Sequence, residues 1–128
     1  MAVFQQGNFR LHSGEWSPWK IECDELIVDD WNTLAYLGSK ILPTEFNSVI
    51  GIPQGGLPFA EAMKKYISPK SRNILIVDDV WTTGKSMYDK YYDTENDTDG
   101  YILGLVAFCR NPRTLPIWCT TIWALNTA

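Results

Sequence analysis

The sequence predicts an α/β fold in which a parallel β-sheet is covered by helices on both faces. Strand-length apolar runs recur along the chain, and segments of helical composition separate the first of them. The run from Asn73 to Val77 is apolar without alternation, which is typical of a strand buried on both faces. Strands that alternate with helices form parallel sheets, because each helix carries the chain back across a face of the sheet.

The first half of the chain predicts a helix, a strand and a second helix. Apolar residues recur at helical spacing from Asp29 to Ile41. The β-branched run from Ser48 to Ile52 predicts the first core strand. A Gly/Pro-rich turn follows, and the composition from Phe59 to Tyr66 is helical until Pro69 ends the segment.

The second half begins with the core strand at residues 73–77 and predicts one more helix and two more strands. The helix is expected from Ser86 to Tyr92, and the acidic, turn-rich stretch from Asp93 to Gly100 is expected to be a loop. The apolar runs from Tyr101 to Cys109 and from Ile117 to Leu125 predict the last two strands.

Composition indicates one globular domain and excludes several classes of partner. A chain of 128 residues, 45% hydrophobic and 20% charged, can build one core but not two. The N-terminal segment lacks a signal-peptide pattern and the apolar runs are strand-length, so nothing suggests a membrane or secretion. A net charge of −4 argues against a nucleic-acid partner, which needs a basic face. We expect a cytoplasmic protein whose three cysteines are reduced core thiols.

The segment NILIVDDVWTTGKSM, from Asn73 to Met87, contains the residues best suited to chemistry. An apolar run ends in two adjacent carboxylates, Asp78 and Asp79, and a hydroxyl-rich turn follows before a helix. The acids can accept hydrogen bonds from two vicinal ribose hydroxyls, while the turn and the helix N-terminus can hold a phosphate. The pattern predicts a sugar-phosphate site with phosphate contacts at Thr82, Thr83, Gly84, Lys85 and Ser86.

Two other interpretations of this segment are weaker. Gly84-Lys85-Ser86 looks like the end of a P-loop, but that motif needs a glycine five positions before Gly84, where this chain has Asp79. The other is purely structural: a buried strand, solvated acids and a capped helix. The acids lie at the C-terminal end of the strand, where α/β folds bind ligands, and this position favours the ligand site.

The segment resembles the 5-phosphoribosyl-1-pyrophosphate (PRPP) signature of type I phosphoribosyltransferases: an apolar strand, two acids, then Thr-x-Gly-x-Thr/Ser. The resemblance implies that Asp78 and Asp79 hold the ribose 2′- and 3′-hydroxyls and act in catalysis. It implies that residues 82–86 bind the 5′-phosphate. Trp81 departs from the signature, which usually has a small aliphatic residue there, and is either a wall of the site or a surface contact.

Two further segments match the family in the expected order. The turn after the first strand resembles the pyrophosphate loop, in which glycines let backbone amides approach the diphosphate. The residues concerned are Pro53, Gln54, Gly55 and Gly56. The segment from Phe9 to Pro18 resembles the N-terminal hood of orotate phosphoribosyltransferases, which read Phe-x-Leu-x-Ser-Gly-x-x-Ser. This match implies base contacts at His12 and Ser13, although a lysine is common in the family where this chain has His12.

The connection between the second helix and the second core strand is short for this family. Orotate enzymes have some tens of residues there, with a further strand and a mobile loop that contains catalytic lysine and histidine. Here residues 67–72 are the whole connection. Lys70 and Arg72 could replace some of the positive charge of that loop, but they are more simply interpreted as solvated connector residues. Two functions therefore stay open: a phosphoribosyltransferase that uses other groups, or a PRPP-binding or sensor domain without turnover.

The resemblance implies a compact type I phosphoribosyltransferase fold, with a hood over residues 1–28 and a core of about four parallel strands over residues 29–128. The implied reaction transfers the phosphoribosyl group of PRPP to a nitrogenous base, with an orotate-like pyrimidine favoured, in nucleotide biosynthesis or salvage. Diphosphate is the leaving group. Mg²⁺ is the expected cofactor, bound mainly by the diphosphate and the ribose hydroxyls, with no protein ligand assigned.

A homodimer is also expected. Family members commonly pair beside their active sites, and the chain has six tryptophans in 128 residues. Those outside the predicted strand interiors exceed what one small core is expected to bury, and exposed aromatic patches mark association surfaces. They are Trp16, Trp19, Trp31 and Trp81. The alternative is that the hood covers these rings within one chain.

Overall fold

A computed structural model describes residues 4–10 and 16–124, without the side chains of residues 8, 9 and 16–21. Its elements are β1 (Phe4–Arg10), β2 (Trp16–Ile21), α1 (Val28–Ile41), β3 (Ser48–Gly51), α2 (Leu57–Met63), β4 (Ile74–Trp81), α3 (Lys85–Thr94), β5 (Ile102–Cys109) and β6 (Cys119–Ala124). Strands β3 to β6 form one sheet in the order β3-β4-β5-β6, and all three pairings are parallel. The predicted α/β class and its parallel sheet are confirmed.

Several element boundaries differ from the prediction. Helix α2 begins two residues early, at Leu57, because Pro58 favours the first helical turn, and its last predicted turn is a separate 3-10 helix, Lys64–Tyr66. Helix α1 begins at Val28, where the Asp30 carboxylate accepts the Ile27 backbone N–H at 3.0 Å. Helix α3 takes in Thr94, so the acidic loop is shorter than predicted.

The largest correction concerns β4, which was expected to end at Val77. The strand continues to Trp81, because β5 pairs with it over the whole length, from Ile74 opposite Ile102 to Trp81 opposite Cys109. Asp78 and Asp79 therefore lie within the strand rather than beyond it. Pairing with the backbone of β5 extends the strand through these positions, although aspartate is uncommon in strands.

Two apolar layers cover the sheet, one on each face. Helices α1 and α2 pack on one face, where Trp31, Phe59 and Met63 meet Leu75 and other buried strand residues. Helix α3 packs on the other face over a second cluster of buried residues: Ile52, Ile76, Trp81, Met87, Ile102, Val106, Cys109 and Cys119. Complete burial of a side chain the size of Phe59 contributes about 1.5–3 kcal/mol. These layers hold the loops at the C-terminal edge of the sheet in fixed positions.

The tryptophan argument for a dimer is partly wrong. Trp31 is 4% exposed and Trp81 is 1% exposed, so this small core does bury both rings. The side chains of Trp16 and Trp19 are outside the described residues. The three cysteines are free and buried, as expected of core thiols.

The N-terminal segment forms an antiparallel pair of strands separate from the main sheet. Strand β1 pairs with β2 from Phe4 opposite Ile21 to Arg10 opposite Trp16, with an irregularity between Gln6 and Phe9. This pairing was not predicted from the sequence. Among the described residues, none of the helices has the length and apolar character needed to cross a membrane.

Candidate functional site

The two predicted ligand loops lie side by side at the C-terminal edge of the sheet. Strand β3 ends at Gly51, which pairs with Val77 of β4, and the Ile52 N–H donates to the Val77 carbonyl at 2.9 Å. The turn from residue 52 to residue 56 therefore runs beside Asp78 and Asp79. Parallel pairing brings both loops to one edge, which is where α/β folds bind ligands.

Gly55 of the predicted pyrophosphate loop faces the second acid directly. A Cβ atom built on Gly55 would lie 2.3 Å from Asp79 Oδ2 and 2.8 Å from its Cγ. A side chain at this position would displace the carboxylate, so glycine is what permits this close approach. The structure identifies Asp79 as the neighbour that Gly55 approaches, and the predicted contact of this backbone with a diphosphate stays a prediction.

Gly56 packs against backbone rather than a side chain. A Cβ atom on Gly56 would lie 2.7 Å from the Val77 carbonyl oxygen and 2.8 Å from that of Ile52. The rest of the turn is more open, because Pro53 and Gln54 are exposed. Gly56 thus packs against the strands, while Pro53 and Gln54 face solvent, where backbone groups can contact a ligand.

The paired acids differ sharply in burial. Asp78 is only 9% exposed, whereas Asp79 is half-buried. The Asp79 N–H donates to Asp78 Oδ1 at 2.8 Å, and the Val80 N–H donates to Asp79 Oδ1 at 2.8 Å. The prediction that the strand ends at the acids is therefore wrong, and Asp78 is buried because the strand continues past it.

Burial changes the chemistry of Asp78. Loss of solvent raises the pKa of Asp78 to about 8, and the neighbouring carboxyl of Asp79 adds to this through a hydrogen bond and its charge. The backbone N–H of Asp79 opposes the shift by donating to the ionised form. This raised pKa favours a proton held by the acid pair at neutral pH, and a pair that holds one proton can both donate and accept hydrogen bonds.

The predicted phosphate loop forms a pocket at the start of α3. The pocket has a volume of about 150 Å³ and is lined by Asp78, Val80, Trp81, Thr82, Thr83, Gly84, Lys85, Ser86 and Met87. A single water needs roughly 10–15 Å³ by this measure, so the pocket has room for a group as large as a phosphate. Gly84 precedes the helix with φ of +84°, a conformation that glycine adopts without strain. The structure thus gathers all five predicted phosphate contacts around one pocket.

Lys85 has a partner other than the pocket. Its Nζ lies 2.7 Å from Asp89 Oδ2 one turn along α3, and that hydrogen bond, followed by the charge of Asp89, raises the pKa of Lys85. The side chain is largely exposed. Lys85 was predicted as a phosphate contact, but in the structure its charge is paired with Asp89 along the helix.

Trp81 is the residue whose role the sequence left most open. Its ring is buried beneath Gly84 and lines the pocket, so it is a wall of the site rather than a surface contact. Its indole N–H donates to Thr114 Oγ1 at 2.9 Å. Thr114 was not predicted as part of this region, and no signal in the sequence links it to Trp81.

The hood meets the core close to the acids. His12 and Ser13, the predicted base contacts, lie outside the described residues. Cys23, in a short 3-10 helix after β2, is buried, and burial followed by the charge of Asp79 raises the pKa of its thiol. The hood junction is therefore near enough to the site for its charge to act on the thiol.

No cluster of three or more His, Cys, Asp or Glu side chains suited to a metal occurs in the described part of the chain. Asp78 and Asp79 are the carboxylates that the site itself offers. This donor set fits a magnesium ion held mainly by ligand oxygens, because Mg²⁺ in proteins often keeps only one or two carboxylates beside phosphates and waters.

The segment between α2 and β4 is as short in the structure as in the sequence. After the 3-10 helix that ends at Tyr66, residues 67–73 lead directly to β4. Ser68 and Ser71 fix this connector by hydrogen bonds to Glu45, and Arg72 pairs with Asp99. Arg72 is therefore a connector residue paired away from the acids, as its simpler interpretation held.

Comparisons with known proteins identify similar chains. No family model matches. The orotate phosphoribosyltransferase of Pyrobaculum islandicum is 25% identical in an alignment 135 positions long, which takes in 84% of this chain and 69% of that protein. The enzyme of the same name from Sulfurisphaera tokodaii is 34% identical in an alignment 108 positions long, which takes in 63% of this chain and 54% of that protein. The chain therefore spans little more than half the length of this second relative.

Solved structures agree with the sequence comparison on the fold. The crystal structure of orotate phosphoribosyltransferase from Aeropyrum pernix superposes with a TM-score of 0.74 at 20% identity, covering 95% of this chain and 88% of that one. At this identity the likeness shows the fold alone. The chain thus has the type I phosphoribosyltransferase fold, and in sequence it is similar to the orotate phosphoribosyltransferases in a shortened form.

Proposed function

We propose that the protein is a phosphoribosyltransferase that joins a nitrogenous base to the anomeric carbon of PRPP and releases diphosphate. The observation that supports this most directly is the approach of Gly55 to Asp79, beside the pocket at Gly84. A diphosphate loop, a pair of acids and a phosphate pocket follow one another along one sheet edge. That order matches the order of the groups in PRPP.

In this proposal the protein acts mainly by positioning and by charge. Displacement at an anomeric carbon has strongly oxocarbenium-like character, so the chain needs to hold the ribose and stabilise positive charge on its ring. Asp79 accepts a ribose hydroxyl, and neutral Asp78 donates to or accepts from the adjacent one. The negative charge of the pair then lies beside the ring. Mg²⁺, when bound to the diphosphate, neutralises charge on the leaving group.

The base subsite is assigned by resemblance. Orotate, or a pyrimidine like it, is the favoured acceptor because the relatives in sequence are named orotate phosphoribosyltransferases. In the proposal His12 and Ser13 of the hood contact that base. The charge of Asp79 helps to raise the pKa of the Cys23 thiol, and this supports a hood whose last residues lie near the acids.

A second function deserves a test because of the short connector. Residues 67–73 leave no room for the mobile loop that provides catalytic lysine and histidine in the orotate enzymes. A domain with the three ligand subsites and without that loop would bind PRPP without efficient turnover. This is the PRPP-binding or sensor alternative.

One assay separates the two functions. The protein is incubated with PRPP, Mg²⁺ and a panel of bases that includes orotate, uracil and purines, and diphosphate release is followed. The enzyme predicts release that depends on one base and is lost in an Asp78→Asn, Asp79→Asn double variant. Tight PRPP binding by calorimetry without release on any base would establish the sensor. Absence of both binding and release would refute the whole proposal.

A homodimer and a cytoplasmic location complete the proposal. Helix α1 exposes the apolar side chains of Val28, Tyr36, Leu37 and Ile41, but they point in different directions around the helix, so the proposed dimer rests on the family resemblance. The free cysteines are consistent with a reducing compartment, where thiols persist. Both proposals also follow the family resemblance.

A further inference from the structure

Trp81 lies directly under the residue that opens the phosphate pocket. A Cβ atom on Gly84 would lie 2.1 Å from Trp81 Cζ2, 2.5 Å from Cη2 and 2.6 Å from Cε2. The benzene part of the indole therefore touches the Gly84 backbone, with no space for a side chain between them. Gly84 has a left-handed φ of +84°, and the ring packs against it in this conformation.

The same ring supports the first turn of α3. Tyr88 packs edge-on against Trp81 with ring centroids 5.6 Å apart, and the Tyr88 N–H donates to the Gly84 carbonyl at 2.9 Å. Trp81 thus contacts both ends of the turn that begins the helix. Amide groups at a helix start bind anions only when they point at the ligand, so the position of this turn sets the geometry of the phosphate site.

Trp81 is in turn fastened to the loop that follows β5. Its indole N–H donates to Thr114 Oγ1 at 2.9 Å, and its carbonyl accepts the Arg110 N–H at 3.0 Å. The Thr114 hydroxyl donates its own proton to the Asn111 carbonyl at 2.8 Å. A lone pair of that hydroxyl is therefore directed at the indole, which fixes the ring in one orientation.

We propose that Trp81 is a positioning residue of the phosphate site, and that its hydrogen bond to Thr114 keeps the site in its geometry. The indole supports Gly84 and the start of α3, and the hydrogen bond to Thr114 keeps the ring from shifting. The inference rests on the proposed function for the identity of the ligand. A small aliphatic residue, usual in the family at this place, could not reach both Thr114 and Tyr88.

The test removes the hydrogen bond between Thr114 and Trp81 and leaves the indole ring in place. Thr114→Val keeps the shape of an exposed side chain and deletes the acceptor, while Thr33→Val removes a hydroxyl hydrogen bond on α1 as the matched control. Calorimetry measures the affinity for ribose 5-phosphate and, separately, for magnesium diphosphate. Loss of one hydrogen bond predicts about a three- to tenfold weaker affinity for ribose 5-phosphate in Thr114→Val. Affinity for magnesium diphosphate, whose proposed site is the loop of residues 53–56, stays within twofold of the wild type. Thr33→Val changes the affinity for neither ligand.

A second pair of variants separates positioning from bulk packing. Trp81→Phe keeps a ring under Gly84 without the N–H, and Trp81→Leu removes the ring. Affinity for ribose 5-phosphate is expected to fall in the order wild type, Trp81→Phe, Trp81→Leu. Equal losses for ribose 5-phosphate and magnesium diphosphate in these variants would show general destabilisation and overturn the proposal.

Amide hydrogen exchange gives a readout that needs no ligand. The Tyr88 amide should exchange about three- to tenfold faster in Thr114→Val, with amides of α1 unchanged. Unchanged exchange at Tyr88 together with unchanged affinity for ribose 5-phosphate overturns the proposal. If the wild type binds no ribose 5-phosphate, the proposed function fails, and exchange at Tyr88 alone decides the positioning role.

Discussion

Replacing Gly55 by alanine should damage ligand binding and spare the fold. The new methyl carbon would lie 2.3 Å from Asp79 Oδ2, about 1.1 Å short of an ordinary contact at 3.4 Å. The atoms in its way belong to the end of a half-buried side chain, so the carboxylate can turn away. Its 2.8 Å bond from the Val80 N–H is then strained or lost, which costs about 1 kcal/mol of unfolding free energy.

The cost to the ligand should be larger. A turned Asp79 no longer faces the ribose hydroxyls, and a hydrogen bond to a charged group contributes about 1.5–3 kcal/mol. At about 1.4 kcal/mol per factor of ten, the affinity for ribose 5-phosphate should fall about 10- to 100-fold. Calorimetry with ribose 5-phosphate and urea unfolding of the same sample measure the two effects separately.

Gly56→Ala is the matched control for this variant. Its methyl would meet the backbone carbonyls of Val77 and Ile52, which are fixed by the strands and cannot turn away. Overpacking of this kind costs about 1–3 kcal/mol, so this variant should lose stability. Affinity within twofold of the wild type in Gly55→Ala, or a stability loss as large as that of Gly56→Ala, would refute the reasoning.

Three further predictions concern pH, the phosphate loop and assembly. Asp78 binds a proton up to about pH 8 in the folded state but loses it near pH 3.8 when unfolded, so the free energy of unfolding should fall as pH rises between these values. The slope should be at most about 1.4 kcal/mol per pH unit. Denaturation at a series of pH values should show this slope, and Asp78→Asn should flatten it. Gly84→Val should abolish ribose 5-phosphate binding and lower stability, because position 84 has a left-handed φ and the Trp81 ring lies against it. Lys85→Ala should change the affinity measured by calorimetry less than threefold. A larger effect of the lysine change would contradict a phosphate site formed by backbone amides. Light scattering at micromolar concentration should give the mass of a dimer, and a monomer mass with and without ligand would exclude it.

The sequence by itself determined the α/β class, the main-sheet strands and the order of the ligand loops. These features depend on residues that are neighbours in the sequence. Apolar runs such as residues 73–77 indicate strands, and glycines in the turn before α2 indicate that the backbone closely approaches another group. The family signature depends on consecutive residues, so it could be identified without any contact between distant parts of the chain. The N-terminal strand pair was missed, because its segment has no comparable apolar run.

Only the tertiary structure decided how the site residues behave. Pairing with β5 carries β4 past the acids, and the burial of Asp78 raises its pKa to about 8, well above the 3.8 of a solvated aspartate. Packing places Trp81 under Gly84 and beside Thr114, 33 positions away in the sequence. Burial and long-range contacts are properties of the whole fold, so no pattern of neighbouring residues encodes them.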